Sequence, residues 1–234
     1  MQASQVIEES LRLGEFGRLS GVLHYPPEAS PTCAVLLCSP HPNFAGDMDN
    51  NVIRSLARRL SEEFIVLRFD YRGVGASEIA LPQGESVFDY WDQVEQIRDY
   101  AGAMEDTRDA ADALHRLSDA LPMVAVGYSF GSVTGLSAAM SDARFIGAVG
   151  IAPPYLRIAF DFLARCPKPC LMLSGDADFV YDANTAATLA AIGGGNLRLE
   201  QLAGMDHFFR GQESLLAERV VSFARGIMTG PGRL

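Results

Sequence analysis

The chain has 234 residues, 48% hydrophobic and 21% charged, which is enough apolar material for one sizeable core and excludes a disordered polymer. Its 19 basic and 29 acidic residues leave a formal net charge of -10, a sign that repels phosphate backbones. With no dense Lys/Arg run to offset that charge, nucleic acid is excluded as an expected partner, and no apolar stretch approaches the ~18 residues that span a bilayer.

The opening stretch, MQASQVIEESLRLGEFG, carries acidic residues and no apolar core of signal-peptide length, so a cytoplasmic location is expected. Strands are predicted at Ser10–Gly14, Leu19–Tyr25, Cys33–Cys38, Phe64–Phe69, Met123–Tyr128, Ile146–Ala152, Cys170–Ser174 and Leu197–Leu202. Several are continuously apolar (AVLLC, IVLRF, VAVGY, LMLSG), as strands covered on both faces are. Helical periodicity falls at Asn50–Glu63, Met104–Asp119, Phe130–Ser141, Asp182–Ile192 and Ser214–Ile227. After an antiparallel hairpin the elements alternate, which calls for an α/β fold with a doubly wound, mostly parallel sheet of about eight strands flanked by helices. No repeat or composition break divides the chain, so residues 1–234 read as one domain.

One segment interrupts the alternation. Residues 79–102 hold Phe88, Tyr90, Trp91 and Tyr100 among acidic residues, too long for an ordinary βα loop. They read either as an aromatic cap over a binding site or as an extra surface helix. The cysteines, Cys33, Cys38, Cys166 and Cys170, lack the second Cys/His pair that would complete a zinc site, so thiols and no metal are expected.

Gly127-Tyr128-Ser129-Phe130-Gly131 is a G-x-S-x-G between a predicted strand and a predicted helix. A turn that sharp pushes the serine toward positive φ and brings strand and helix so close that side chains at 127 and 131 would collide. An alcohol needs a base, and the base needs an orienting acid. Of four histidines, His24 and His115 fall inside elements, His41 follows an early strand, and His207 follows the last strand in GMDHFF. His207 is the best base. Asp176 and Asp178 both follow the strand CLML, and Asp178 is preferred because it lies further past the strand end, leaving Asp176 to fold the turn. For an oxyanion, the N–H of Phe130 opens the helix after the serine. A second donor should come from Ser39-Pro40-His41-Pro42-Asn43-Phe44, where the prolines have no N–H, leaving the amides of His41 and Asn43, with His41 favoured.

These motifs, together with Pro40-His41-Pro42, Gly46, Met48-Asp49-Asn50, Arg72-Gly73-Val74-Gly75-Ala76-Ser77 and Asp206-His207-Phe208-Phe209, give the chain a resemblance to the α/β-hydrolase superfamily. Within it the chain is similar to small bacterial serine hydrolases distantly akin to dienelactone hydrolases and esterases. Ser39 and Ala45 depart from that group's pattern, and residues 79–102 look like an insertion. The resemblance supports Asp178 as the acid and implies hydrolase activity but no settled substrate, and the serine mechanism calls for no cofactor.

The expectation is therefore a serine hydrolase cleaving a carboxylic ester or related acyl bond of a small molecule through a covalent acyl-enzyme. Phe44, Tyr128, Tyr155 and the aromatics of 79–102 would wall a pocket for a partly apolar acyl group. The alternatives are an acyltransferase or a lactone or carbon–carbon bond hydrolase using the same three residues, and a non-catalytic binding protein on the same scaffold. A homodimer is the default assembly.

Overall fold

The computed structural model describes residues 6–26, 30–164 and 166–229; the first five residues, part of the stretch weighed above as a leader, lie outside them. Eight strands form one sheet: β1 Ile7–Leu13, β2 Leu19–Tyr25, β3 Ala34–Cys38, β4 Ile65–Phe69, β5 Met123–Tyr128, β6 Phe145–Ile151, β7 Cys170–Gly175 and β8 Leu197–Leu202. Their order across the sheet is β1-β2-β4-β3-β5-β6-β7-β8. The hairpin β1–β2 and the β2–β4 pair are antiparallel, and every other pair is parallel. The continuously apolar runs became the inner strands β3, β4, β5 and β7; β3, β5 and β7 are buried throughout, as is β6, and β4 at every position but Ile65. The edge strand β1 is mostly exposed.

Among the described residues six helices flank the sheet: α1 Asn51–Leu60, α2 Val87–Ile97, α3 Ala101–Leu117, α4 Phe130–Ser141, α5 Ala183–Ile192 and α6 Glu213–Thr229. Helices α1 and α6 share one apolar cluster with Val35, Val66, Val126 and Leu171 on one face of the sheet. Helices α2 to α5 pack with Leu36, Leu67, Ala125 and Met172 on the other. Side-chain alternation along each strand thus feeds two cores. The Asn50 side chain accepts the Val52 N–H at 3.0 Å and so starts α1.

The segment 79–102 contains a helix. Ser86 and Asp89 form a reciprocal capping box that begins α2, and Arg98 ends it in the left-handed conformation (φ 55°). Only Trp91 and Val94 of α2 are buried, and the Trp91 indole N–H donates to the Arg72 carbonyl at 3.2 Å. The next helix, α3, begins at Ala101, ahead of the Met104 start that periodicity suggested. Arg72 grips α3 through Asp106, whose oxygens accept both its main-chain N–H and its guanidinium. The four cysteines are buried thiols. Among the described residues no helix is long and apolar enough to cross a membrane.

Candidate active site

Strand β5 runs down the middle of the sheet and ends in the tight turn to α4. Ser129 sits at that turn with φ 52° and ψ -116°, and its N–H donates to the Ile151 carbonyl at 2.8 Å. A Cβ on Gly127 would overlap the Gly131 carbonyl, and one on Gly131 would overlap the Cys38 carbonyl, so both positions require glycine. Ser129 occupies the N-cap of α4, yet its side chain makes no capping bond. The hydroxyl instead lies 3.2 Å from Nε2 of His207.

His207 lies in the loop between β8 and α6. Asp206 folds this loop by accepting the N–H groups of Phe208 and Phe209 at 2.9 and 3.1 Å. The Tyr128 hydroxyl donates to the main-chain carbonyl of His207 at 2.9 Å. Nδ1 of His207 is 3.0 Å from each oxygen of Asp178, whose side chain is almost fully buried. An ionised carboxylate only accepts, so Nδ1 carries the proton and Nε2 presents its lone pair to the serine hydroxyl. Asp178 also accepts the Val180 N–H at 2.9 Å. Asp176 points elsewhere, accepting the Gly204 N–H at 2.8 Å.

The loop after β3 approaches the same point. Nδ1 of His41 accepts the Asn43 N–H at 3.2 Å, so that amide is committed to the ring and the ring proton sits on Nε2. Burial holds the His41 pKa below the usual histidine value, which keeps the ring neutral. The ring stands edge-on to Phe130 (5.1 Å between centroids) and to Trp91 (5.6 Å). Neither the His41 N–H nor the Phe130 N–H has an acceptor among the described residues.

Ser129 and His207 open into a cavity of about 210 Å³. Phe44, Ile158, Phe179, Val180 and Phe208 supply its apolar wall, and Tyr128, Phe130 and His41 also border it. Of the residues expected there, Asn43 is absent from the lining, and its side chain donates to the Phe88 carbonyl at 3.0 Å. Tyr155 is also absent. It is buried against Phe160 and Tyr181, because the Pro153-Pro154 turn after β6 sends it into the core. The aromatics of 79–102 do not line the cavity either; Trp91 and Tyr100 pack behind it on Phe130, and α2 contributes Glu95. Glu95 and Arg157, which no motif marked, face each other across the lining at 3.2 Å. Phe208 stands in the Asp206-His207-Phe208-Phe209 stretch but was given no pocket role there, and Phe179, next to Asp178, was not singled out. Among the described residues, no three His, Cys, Asp or Glu side chains gather closely enough to hold a metal ion.

Comparison with known proteins bears on the whole of this architecture. An uncharacterized protein of Rickettsia prowazekii is 28% identical over 208 residues, covering 84% of this chain and 80% of its own. A crystal structure of a protein of unknown function from Agrobacterium tumefaciens is 28% identical and superposes with a TM-score of 0.76, covering 96% of this chain and 98% of that one. A Xanthomonas campestris protein, described as a serine hydrolase without a lid, shares the fold at 22% identity and a TM-score of 0.74, covering 99% of this chain and 98% of that one. The family model described as alpha/beta hydrolase matches residues 35–230, and the chain belongs to that family.

Proposed function

We propose that the protein hydrolyses a carboxylic ester or related acyl bond of a small molecule, with Ser129 as nucleophile, His207 as general base and acid, and Asp178 as the orienting carboxylate. The observation that carries this reading is the unbroken relay from Asp178 to His207 Nδ1 at 3.0 Å and from His207 Nε2 to Ser129 Oγ at 3.2 Å. In the first half-reaction Ser129 Oγ bonds to the substrate carbonyl carbon while its proton passes to His207 Nε2. Asp178 balances the imidazolium so formed and keeps the ring in register. The carbonyl oxygen becomes an oxyanion facing the N–H groups of His41 and Phe130; each such donor is worth about 3 kcal/mol in the transition state. Collapse breaks the bond to the alcohol, which leaves with the proton from His207. Water then repeats the sequence on the acyl-serine, its proton passing to His207 and back to Ser129 as the acid departs.

The test is covalent labelling by a fluorophosphonate, followed by intact-mass measurement, with steady-state hydrolysis of short 4-nitrophenyl esters alongside. The expected result is one adduct per wild-type chain and none on the Ser129→Ala protein. A folded wild-type protein that neither labels nor hydrolyses any ester overturns the proposal.

A further inference from the structure

Beyond the Ser129–His207 end, the lining of the cavity is polar at few places. The side-chain oxygen of Asn50 is taken by the α1 cap. What remains is the pair formed by Glu95 of α2 and Arg157 of the loop after β6. We propose that this pair is a subsite selecting esters that carry a neutral hydroxyl at the far end of an apolar segment. The inference rests on the hydrolase reading above and concerns which substrate is taken, not how its bond is broken.

Both groups can be reached, since the Arg157 side chain is 52% exposed and that of Glu95 26%. Arg157 directs Nη1 to Glu95 Oε1 at 3.2 Å and lays its guanidinium over the Phe44 ring, 5.6 Å from the centroid. The remaining guanidinium N–H groups have no acceptor among the described residues. Glu95 Oε2 accepts the Tyr100 hydroxyl at 3.1 Å, which leaves the carboxylate further lone pairs. A donor and an acceptor therefore stand side by side at the edge of an apolar chamber.

That arrangement discriminates among substituents. A hydroxyl oxygen can accept from Arg157 and donate to Glu95 together. A carboxylate would gain Arg157 but meet the charge of Glu95, and an ammonium would gain Glu95 but meet Arg157. A methyl group would strip water from the pair and return nothing. The pair has no net charge, and the neutral ring of His41 behind it adds none.

His41 supplies a second, independent observation. Its residue is 5% exposed, and the Nε2–H, buried with no hydrogen-bond partner, lies 3.9 Å from Glu95 Oε2. A shift of about 1 Å would bring the two to ordinary bonding distance. The Glu95 carboxylate therefore has a further donor, the His41 Nε2–H, within reach of a small movement. Movement of this kind is what a carboxylate needs in order to exchange one hydrogen bond for another when substrate enters.

The experiment uses methyl esters of para-substituted benzoic, phenylacetic and 3-phenylpropanoic acids, the para group being hydrogen, methyl, hydroxyl, methoxy or carboxylate. The matching acetates of the substituted phenylalkanols place the same group on the alcohol side. In at least one series the hydroxyl member should exceed the hydrogen, methyl, methoxy and carboxylate members in kcat/KM by about ten- to a hundredfold, the range of a hydrogen bond to a charged group. In the Glu95→Gln protein the order should change, the carboxylate member rising above the hydroxyl one, because Arg157 then lacks its anion. A general loss of structure would lower all members alike and leave the order intact. Dissociation constants of the same esters for the Ser129→Ala protein should show the same hydroxyl preference. A flat series, or one led by the methyl or carboxylate member in the wild type, overturns this inference and leaves the hydrolase reading standing. If Ser129 takes no fluorophosphonate, that reading fails, and the binding constants alone decide the subsite.

Discussion

Tyr128, the residue before the elbow serine, holds the main chain of His207 through a 2.9 Å bond from its hydroxyl to the His207 carbonyl. Burial, together with the nearby Asp178 and Asp206 charges, raises the Tyr128 pKa far above the working range, so the phenol stays a donor. The two loops that must meet at the hydroxyl of Ser129 are therefore tied by a group one residue away from it.

Replacing Tyr128 with Phe removes the tie while keeping the ring. The His207 carbonyl loses its donor, and about 1 kcal/mol of stability should go with it in denaturant titrations. If His207 is thereby loosened, kcat on a 4-nitrophenyl ester should fall on the order of ten- to a hundredfold with little change in KM. An unchanged kcat would show that the loop is held well enough by the Asp206 turn alone.

The backbone at Ser129 is strained, with φ 52° on a residue that bears a Cβ. Ser129→Gly and Ser129→Ala should both abolish hydrolysis and phosphonate labelling. They differ in stability: glycine releases the strain and alanine does not, so the glycine variant should be the more stable by about 1 kcal/mol. Thermal melts of the two purified variants give the comparison directly.

Two aspartates follow β7, and they should respond oppositely. Asp178→Asn keeps the shape but favours the wrong tautomer of His207, so kcat should drop about 10⁴-fold. Asp176→Asn should leave kcat within about twofold, since Asp176 only accepts the Gly204 N–H at the turn. Its cost in stability should be small, at most about 0.5 kcal/mol in the denaturation midpoint, because the amide oxygen still accepts that N–H.

Two buried groups pull the pH dependence of stability in opposite directions. Burial, opposed in part by the Met48 N–H, pushes Asp70 up to about 6, so folding favours its protonated form. Its stabilising contribution is complete below ~4 and is lost as pH rises through about 6. Burial, reinforced by the Arg68 charge, lowers His24 to about 4; its contribution is complete above ~6.5 and is lost as pH falls through that value. Between pH ~4 and ~6 the two slopes oppose each other. Asp70→Asn should therefore steepen the loss of stability on acidification, and His24→Gln should flatten it. Denaturant midpoints measured across that window distinguish them.

The sheet was legible because inner parallel strands announce themselves as unbroken apolar runs: AVLLC, MVAVGY and CLMLSG are buried at every position. The meeting of Ser129, Asp178 and His207 was legible as well, since each follows a strand and all parallel strands end on the same side. Helix α2 was harder. It buries only Trp91 and Val94, too few to set up a helical stripe, although Ser86 and Asp89 spell a capping box that would have marked its start. Tyr155 was placed in the pocket by its nearness to the turn after β6, but side-chain direction after Pro153-Pro154 is settled by packing against Phe160 and Tyr181. Glu95 and Arg157 stand 62 positions apart and belong to no motif, so only the folded chain brings them together.

The seat of Ser129 on β5 has a consequence for inactivation. That strand is hydrogen-bonded to β3 on one side and β6 on the other, so the turn it carries cannot loosen unless the sheet is torn in two. Heating should therefore switch the protein off in one step: the hydroxyl proposed as nucleophile is not a fraying accessory but sits at the tip of a piece that melts with the whole sheet.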